Sequence, residues 1–359
     1  MQSKKNLIHL CCGVIVFLGA AVLLVFLVDP FFHYHKPWFG LVNMGEDKEY
    51  QIPGILENYE YDSLLVGSST AMSLDADRLN ERFSCVTVKA VGNSAPAPQL
   101  NYYMDLAFEG HELKYVFYGL DVFSFYSDPD MQPVSEEVAY LTNKNPFDDV
   151  QYFWNMDVIG EKVPEMLRSD PENAPEGLLY AFNRGSQTGP ESVLVNHTPG
   201  NVMEPKAKPL DYQAKYVTGN IARLETKVRE HPETQFLFFV PPYHIVWWDN
   251  AYEMGLLDTY LYTLETCMER LLSYDNVHFY RTDFNEELVI TDVYQYMDYI
   301  HGSVEVTERM AEQIGTPEQE ITLDNYLEEM EQFREVFARF RMRVEAEGYG
   351  FLWEHVNPI

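Results

Sequence analysis

Ser69, Asp298 and His301 are the residues of this chain whose types and spacing could do covalent chemistry. A serine hydroxyl becomes a nucleophile when a histidine takes its proton, and a carboxylate at the other ring nitrogen stabilises the resulting imidazolium. Asp298 and His301 are three residues apart, so they can face the same way on one helical turn. The three residues therefore predict serine-dependent acyl chemistry, provided that the fold brings Ser69 to the pair.

Each of these signals has a simpler explanation when it is taken alone. Ser69 lies between the apolar run 61–66 and a helical pattern, where serine commonly caps a helix. An aspartate and a histidine three residues apart also occur often by chance. Their order along the chain favours the catalytic interpretation, because Ser69 follows the first predicted strand and the Asp298–His301 pair follows the last.

Short apolar runs alternate with helical patterns through the part of the chain that carries these residues. We predict strands at 63–66, 85–91, 115–120, 235–240 and 277–280, and helices at 75–82, 98–109, 214–229, 259–273 and 304–313. This alternation predicts an α/β fold with a parallel sheet and helices on both faces. In open sheets of this kind the chemistry takes place at the carboxyl edge, where Ser69 is predicted to lie.

The Gly-Ser-Ser sequence at 67–69 and the Asp-x-x-His sequence at 298–301 resemble the first and last signature blocks of the SGNH (GDSL-like) hydrolase superfamily. The resemblance extends over about 61–313, apart from one insertion. It implies a three-layer, flavodoxin-like α/β fold with a mainly parallel five-stranded sheet. It also implies that the protein needs neither a cofactor nor a metal.

The resemblance assigns a role to each residue of the pattern. Ser69 corresponds to the nucleophile, and its own backbone N–H corresponds to one donor to the oxyanion. His301 corresponds to the general base, and Asp298 corresponds to the carboxylate that orients it.

Two positions depart from the family pattern, and both concern the oxyanion. The second block supplies a glycine N–H, for which Gly92 is the candidate, with Asn93 or Ser94 as alternative donors. The third block ends in asparagine, and Asp121 stands there instead. Because an ionised carboxylate cannot donate and repels an oxyanion, we interpret Asp121 as turned away to hold a loop, the alternative being a raised pKa.

The loop at 241–249 follows the fourth predicted strand and so lies at the same edge of the sheet. Together with Ser68, it supplies the predicted substrate-binding residues: Tyr243, His244, Trp247 and Trp248. Paired tryptophans can stack on the apolar faces of sugar rings, although large aromatic residues more often pack a core. His244 is a competing base, but it lacks a carboxylate at helical spacing.

The run 7–28 is apolar over about 22 residues, enough at 1.5 Å per residue to cross a hydrocarbon core of about 30 Å. It exceeds the apolar part of a signal peptide, and no small-residue cleavage site precedes Asp29, so we predict an uncleaved transmembrane helix. Lys4 and Lys5 precede this run. The positive-inside rule then places the N-terminus in the cytoplasm and the rest of the chain outside the cell membrane, as a single-pass protein.

Aromatic residues follow the predicted membrane helix within about a dozen positions, as in an interfacial belt. They are Phe31, Phe32, Tyr34, Trp38 and Phe39. His33 and His35 lie among them, and we interpret both as interfacial residues rather than metal ligands.

The chain is strongly acidic, with 25 Lys and Arg against 56 Asp and Glu and a formal net charge of −31. A surface of this sign repels a phosphate backbone, so we predict no nucleic-acid partner. It favours cationic or neutral substrates. Outside the membrane run, Cys85 and Cys267 allow one disulfide, although the apolar surroundings of Cys85 favour a buried thiol.

These observations predict the following organisation: a cytoplasmic tail at 1–6, a transmembrane helix at 7–28, a juxtamembrane segment at 29–56, an SGNH-like domain at 57–126 and 212–316, an insertion or lid at 127–211, and a C-terminal helical extension at 317–359. The insertion is predicted as a lid because it is long and rich in Pro, Asn, Asp and Gly.

The chain also resembles the membrane-anchored bacterial branch of the superfamily, which includes the D-alanyl transfer proteins of teichoic acid modification and the alginate-type O-acetyltransferases. This resemblance implies a serine acyl esterase or O-acyltransferase acting on an envelope polysaccharide or other acylated glycan, with a multispanning membrane acyltransferase as a further partner. The alternative is a catalytically impaired envelope protein that binds glycan or scaffolds such an acyltransferase. Thioesterase or lipase action on membrane lipid is a third interpretation.

Overall fold

The computed structural model describes residues 2–42, 48–143, 145–169, 186–195, 197 and 209–353 of the chain. The chain folds into two compact units. The N-terminal unit consists of Met1–Glu60 and Val134–Tyr180, and the α/β unit consists of Tyr61–Pro133 and Ala181–Ile359. Every predicted catalytic, oxyanion and substrate-binding residue belongs to the α/β unit.

The α/β unit is built on a mainly parallel β-sheet. Its strands are β1 (Ser63–Gly67), β2 (Thr87–Val91), β3 (Tyr115–Gly119), β4 (Gln235–Phe239), β5 (Val277–Tyr280) and β6 (Glu320–Ile321). They lie in the order β2-β1-β3-β4-β5-β6, with β1 to β5 parallel and β6 antiparallel to β5. The predicted α/β class and parallel sheet are confirmed, whereas the predicted count of five strands is wrong by the two-residue β6.

Strand β1 lies at the point where the strand order reverses, between β2 and β3. Its residues Leu64, Leu65 and Val66 are completely buried, as expected for a central strand of a parallel sheet. The first five strands follow the 2-1-3-4-5 order of flavodoxin-like sheets, in which ligands bind beyond the carboxyl ends of the strands at this reversal. The turn after β1 is therefore the place where a site is expected.

Helices connect the strands and extend the chain at both ends. In chain order they are α1 (Gln2–Val28), α2 (Lys48–Asn58), α3 (Ser69–Met72), α4 (Ala76–Phe83), α5 (Ala97–Gly110), α6 (Val150–Phe153), α7 (Val163–Arg168), α8 (Pro190–Leu194), α9 (Pro209–Glu230), α10 (Ile245–Glu253), α11 (Leu257–Leu271), α12 (Glu287–Ile290), α13 (Val304–Gln313) and α14 (Tyr326–Glu347). Shorter helical turns lie at Val122–Tyr126, Ala139–Leu141, Val158–Lys162, Val293–Gln295, Pro317–Gln319 and Gly348–Trp353. The helices predicted from the sequence are all present, with ends that differ by up to five residues.

The N-terminal unit begins with α1, which over Lys4–Val28 is long and apolar enough to cross a membrane and is mostly exposed. The helix ends at Val28, and the next residue, Asp29, has a left-handed φ of 44°. The buried Asp29 carboxylate accepts the backbone N–H groups of His33 at 3.0 Å, Tyr34 at 2.7 Å and His35 at 2.9 Å. These bonds fold the chain into a compact turn directly after the apolar helix.

The predicted aromatic belt is wrong for two of its five residues. Phe31 and Phe32 are buried inside the N-terminal unit, where Phe31 stacks on Tyr50 with ring centroids 4.9 Å apart. Burial is favourable for these apolar side chains, and Tyr50 and Tyr152, which come later in the chain, supply the rings that stack on Phe31. Trp38 and Phe39 remain exposed.

The ring nitrogens of His35 lie 2.5 Å from the Lys36 carbonyl oxygen and 2.7 Å from the Phe26 carbonyl oxygen. The Nε2 atom of His33 lies 3.3 Å from Asp149 Oδ1. These contacts help to hold the turn after α1, and the interpretation of both histidines as interfacial residues stays a prediction.

The predicted insertion at 127–211 is divided between the two units. Val134–Tyr180 belongs with Met1–Glu60, and Ala181 onward belongs with the α/β unit. Residues 144, 170–185, 196 and 198–208 of this segment lie outside the described residues. The role of the insertion as a lid stays a prediction. Both Cys85 and Cys267 are buried free thiols, so the disulfide left open above does not form.

Candidate active site

The turn after β1 presents Ser69 at the carboxyl edge of the sheet. Gly67 ends the strand, and a Cβ at this position would lie 2.6 Å from the Ala71 Cβ, so only glycine lets α3 fold back so closely. Ser68 caps α3, and Ser69 is its first residue. The backbone N–H of a first helical residue has no partner within the helix, which leaves the Ser69 N–H free of the helix ladder.

The structure brings Ser69, His301 and Asp298 together although Ser69 and His301 are 232 positions apart in sequence. The Nε2 atom of His301 lies 2.8 Å from Ser69 Oγ, and its Nδ1 atom lies 2.7 Å from Asp298 Oδ2. A carboxylate only accepts, so Nδ1 carries the proton and Nε2 is left to accept from the Ser69 hydroxyl. This is the geometry that a nucleophile, its base and an orienting carboxylate require.

Asp298 is held in its position by the backbone. Its Oδ1 atom accepts the N–H groups of Ile300 and His301, both at 2.7 Å. Burial by itself raises the pKa of Asp298, but the hydrogen bonds and charge of His301 and the two backbone donors outweigh it, so the pKa lies below its ordinary value of 3.8. The carboxylate is therefore ionised at neutral pH, and it can stabilise an imidazolium at His301.

Asp298 and His301 lie in a tight loop rather than on the helical turn that their spacing suggested. The loop is closed by a bridge between Tyr296 and Gly302 and by a 3.0 Å bond from the Met297 N–H to the His301 carbonyl oxygen. A Cβ on Gly302 would lie 2.5 Å from Val306, so the loop can close onto α13 only with glycine there.

The structure alters the predicted oxyanion donors at β2. The Gly92 N–H donates to the Gly67 carbonyl oxygen at 3.2 Å, continuing the β1–β2 ladder, and this bond removes Gly92 from the predicted donors. Asn93 and Ser94 follow it and are exposed, and Ser94 has a left-handed φ of 49°. Of the alternatives, Asn93 keeps a place at the carboxyl end of β2.

Asp121 is completely buried after β3 and is hydrogen-bonded to the turn that carries Ser69. Its carboxylate accepts the Ser68 N–H at 3.2 Å and the Thr70 hydroxyl at 2.9 and 3.0 Å. It also accepts a short hydrogen bond from the Tyr243 hydroxyl. These contacts support the interpretation of Asp121 as a loop-holding residue, not as an oxyanion donor.

Burial raises the pKa of Asp121 above its ordinary value, although the hydrogen bonds from Ser68, Tyr243 and Thr70 act in the opposite direction. Burial and the nearby Asp121 charge also raise the pKa of Tyr243, so that its hydroxyl remains a donor. Thr70 was not among the residues predicted from the sequence. Its position next to Ser69, at the end of the strand that neighbours β3, is the signal that could have identified it.

Four of the five predicted substrate-binding residues are buried, which argues against their direct contact with a substrate. Ser68 is buried where it caps α3. The other three, Tyr243, His244 and Trp248, lie in the interior because the segment after β4 turns directly into α10. Trp248 packs against Phe333 of α14, with ring centroids 4.7 Å apart. Trp247 is partly exposed and stacks on Tyr260, so it alone keeps the predicted role.

His244 is not a competing base for Ser69. Its Nδ1 atom accepts the Val246 N–H at 3.2 Å and caps α10. Burial lowers the pKa of His244 to about 3, so the ring is neutral at physiological pH.

The buried His244 is expected to make the protein acid-sensitive well above the range in which carboxylates titrate. At a pH between its ordinary pKa of 6.5 and its folded pKa of about 3, His244 is protonated in the unfolded chain but neutral in the folded protein. Stability therefore falls with falling pH, by about 2 kcal/mol between pH 6.5 and pH 5 for this group. Denaturant unfolding of the purified protein in detergent at pH 7 and pH 5 measures this loss.

His244→Asn is the matched variant, because asparagine also caps helices and does not titrate. We expect its loss of unfolding free energy between pH 7 and pH 5 to be smaller than that of the wild type by about 2 kcal/mol. An equal loss in both proteins would show that His244 does not cause the acid sensitivity.

No family model matches the chain, and no curated protein matches its sequence. Among solved structures, it is similar to a candidate platelet activating factor from Streptococcus pneumonia. That likeness has a TM-score of 0.38 and 11% sequence identity, and it covers 75% of this chain and 90% of that chain. A similarity this low bears on neither the fold nor the chemistry, which rest on the geometry above.

Proposed function

We propose that the protein is a serine acyl esterase or O-acyltransferase of the SGNH (GDSL-like) type, with the three-layer, flavodoxin-like fold of that superfamily. The observation that carries this proposal is the hydrogen-bonded series from Ser69 Oγ to His301 Nε2 and from His301 Nδ1 to Asp298, at 2.8 and 2.7 Å. Its place beyond the carboxyl end of β1, at the reversal of the strand order, is the expected position of a ligand.

In the proposed mechanism, Ser69 Oγ attacks the carbonyl carbon of an acyl ester while His301 Nε2 takes the hydroxyl proton. The ionised Asp298 stabilises the imidazolium. The backbone N–H of Ser69 and a donor at Asn93 stabilise the oxyanion of the tetrahedral intermediate. His301 then returns the proton to the departing alkoxide, which leaves the acyl group on Ser69.

The second half of the reaction repeats these steps with a new nucleophile. His301 takes a proton from water or from a sugar hydroxyl, whose oxygen attacks the acyl carbon. The second intermediate collapses with return of the proton to Ser69 Oγ. Water gives hydrolysis and a sugar hydroxyl gives transfer, so the same residues serve both directions.

The charge of the chain narrows the proposed substrate class. A formal net charge of −31 disfavours polyanionic polymers and is compatible with an uncharged acylated glycan. The apolar helix α1 supports a position at the cell membrane, with Lys4 and Lys5 on the cytoplasmic side and the α/β unit outside. A multispanning membrane acyltransferase is the proposed source of acyl groups if the reaction is transfer.

A fluorophosphonate probe tests the proposal, because it reacts covalently only with an activated serine. We expect the purified full-length protein to be labelled and Ser69→Ala to remain unlabelled. Ser94→Ala is the matched control, since Ser94 is an exposed serine at the same edge of the sheet, and it should label like the wild type. Equal labelling of Ser69→Ala and the wild type would remove Ser69 from the mechanism.

The second candidate function is a non-catalytic envelope protein that binds glycan or scaffolds a membrane acyltransferase. The observation that favours it is Asp121. This residue occupies the position where the family pattern has an oxyanion donor, and its carboxylate instead accepts hydrogen bonds from the Ser68–Thr70 turn. Removal of one oxyanion donor raises the activation free energy for kcat by about 3–4 kcal/mol, so its absence would slow the chemistry greatly. Glycan binding that survives both Ser69→Ala and His301→Ala, with no turnover of acetyl esters by the wild type, would favour this alternative.

A further inference from the structure

Helix α6 of the N-terminal unit is fastened to the turn that follows α1. The Tyr152 hydroxyl donates to Asp29 Oδ1 at 2.7 Å and accepts the Phe31 N–H at 3.2 Å. Beside it, Asp149 accepts the Tyr34 hydroxyl at 2.6 Å. Because Tyr152 is completely buried and Asp149 nearly so, these bonds fix α6 at the outer end of the apolar helix.

The elements from α6 to α7 also pack along α1 itself. Helix α6, the turn Val158–Lys162 and α7 all contact α1. Val25 and Val28 of α1 are buried, whereas residues 4–17 are exposed. At 1.5 Å per residue, Val25 lies about 4.5 Å below the end of the helix, so if α1 spans a bilayer its neighbours reach the level where the acyl chains begin.

The same stretch exposes large apolar side chains to a degree that water does not favour. The exposed fractions are 87% for Phe147, 74% for Met156 and 43% for Trp154. Val150 and Leu167 are also more than half exposed. We call these five side chains the 147–167 patch. Apolar patches of this kind mark contact with a membrane or a partner.

The contact of α6 and α7 with α1 favours the membrane over a protein partner as what covers the 147–167 patch. Exposed apolar side chains on elements that pack beside the outer end of a membrane helix lie near the lipid around that helix, and tryptophan is typical of this level. We propose that the 147–167 patch enters the acyl–headgroup boundary of the outer leaflet, as a second membrane contact of the N-terminal unit. The proposal goes beyond the proposed catalytic function, and it rests on α1 being in the bilayer.

The depth and the charges of the segment agree with an interfacial position. Interfacial helices bury their apolar face about 5–10 Å into the headgroup and acyl boundary. Asp157 and Glu161 are exposed in the same segment and suit the headgroup level. These carboxylates give no attraction to anionic lipid, so the contact depends on apolar burial and forms on zwitterionic lipid as well.

Spin labels on the full-length protein in phosphatidylcholine vesicles test the proposal. Labels are placed at Phe147→Cys and Met156→Cys, after replacement of the exposed Cys11 and Cys12 by alanine. Leu288→Cys is the matched control, because Leu288 is 77% exposed and belongs to the α/β unit. Phe17→Cys, on the exposed part of α1, reports whether that helix is in the bilayer.

We expect labels at positions 147, 156 and 17 to collide more often with oxygen, which is enriched in lipid, than with a water-soluble nickel complex. The label at position 288 should collide more often with the nickel complex. Water-like labels at 147 and 156 with a lipid-like label at 17 would overturn the proposal and leave the patch to a protein partner. A water-like label at 17 would overturn the membrane position of α1 and the proposal with it. Neither result depends on whether Ser69 is catalytic.

Tryptophan fluorescence gives an independent measurement on variants that keep an aromatic ring. Trp154→Phe should lose part of the fluorescence that lipids brominated near the headgroup quench in the wild type. Trp353→Phe is the control, because Trp353 is 51% exposed and lies in the α/β unit. An unchanged quenched fraction in Trp154→Phe would contradict the proposal.

Discussion

Asp298→Asn is expected to hydrolyse an acyl ester about 10⁴-fold more slowly than the wild type while it keeps its fold, as the equivalent change does in a serine protease. The asparagine oxygen can still accept the backbone N–H groups of Ile300 and His301, which Asp298 accepts at 2.7 Å. Its amide would then face His301 Nδ1 as a donor. That contact moves the ring proton to Nε2, which can no longer accept from Ser69.

The rate of p-nitrophenyl acetate hydrolysis and the rate of fluorophosphonate labelling both measure this effect. Asp292→Asn is the matched control, because Asp292 also accepts the N–H two residues ahead, from Tyr294 at 3.0 Å. We expect it to retain the wild-type rates. A loss of less than about tenfold in Asp298→Asn would show that the carboxylate does not act through His301.

Asp121→Ala is expected to lower the free energy of unfolding by roughly 2–5 kcal/mol. The variant leaves the Ser68 N–H, the Thr70 hydroxyl and the Tyr243 hydroxyl without the acceptor that they share in the interior. Each unsatisfied buried donor costs about 1–3 kcal/mol, and removal of a buried charge returns part of that cost. Denaturant unfolding monitored by tryptophan fluorescence measures the difference.

Two further variants separate the hydrogen bonds of Asp121 from its charge. Tyr243→Phe removes one donor and should cost about 1 kcal/mol. Asp121→Asn keeps an acceptor oxygen and should be less destabilising than Asp121→Ala. Wild-type stability in Asp121→Ala would contradict the loop-holding role.

The labelling rate of Asp121→Asn distinguishes the two interpretations of this position. A loop-holding residue predicts a rate close to that of the wild type, since the asparagine side-chain oxygen still accepts from the Ser68–Thr70 turn. A residue that faces the oxyanion predicts a faster rate, by up to about 10²–10³-fold, because the amide would supply the missing donor.

The sequence predicts the sheet well because its central strands are short, continuous apolar runs. Strand β6 could not be predicted, since the two residues Glu320 and Ile321 have no periodicity of their own and pair only because the chain returns to β5. The spacing of Asp298 and His301 does not reveal the loop that carries them, because its closure by Tyr296 and Gly302 is a tertiary contact.

The sequence predicts the surroundings of Ser69 less well, for a related reason. Asp121, Thr70 and Tyr243 come from three separate segments, and their hydrogen bonds exist only because β1, β3 and β4 are neighbours in the sheet. The aromatic residues after β4 were assigned to a binding surface because loops usually lie at the surface. Trp248 instead begins the packing of α10 onto α14.

The tie between Asp29 and Tyr152 has a practical consequence for truncation of the protein. Removal of the first 28 residues alone would uncover the side chains that pack on Val25 and Val28, and it would leave residues 134–168 without part of their core. A soluble version for crystallisation or assay should therefore lose both Met1–Glu60 and Val134–Tyr180, with a short linker joining Pro133 to Ala181. Separation of the N-terminal unit from the α/β unit thus requires removal of two chain segments rather than a single cut.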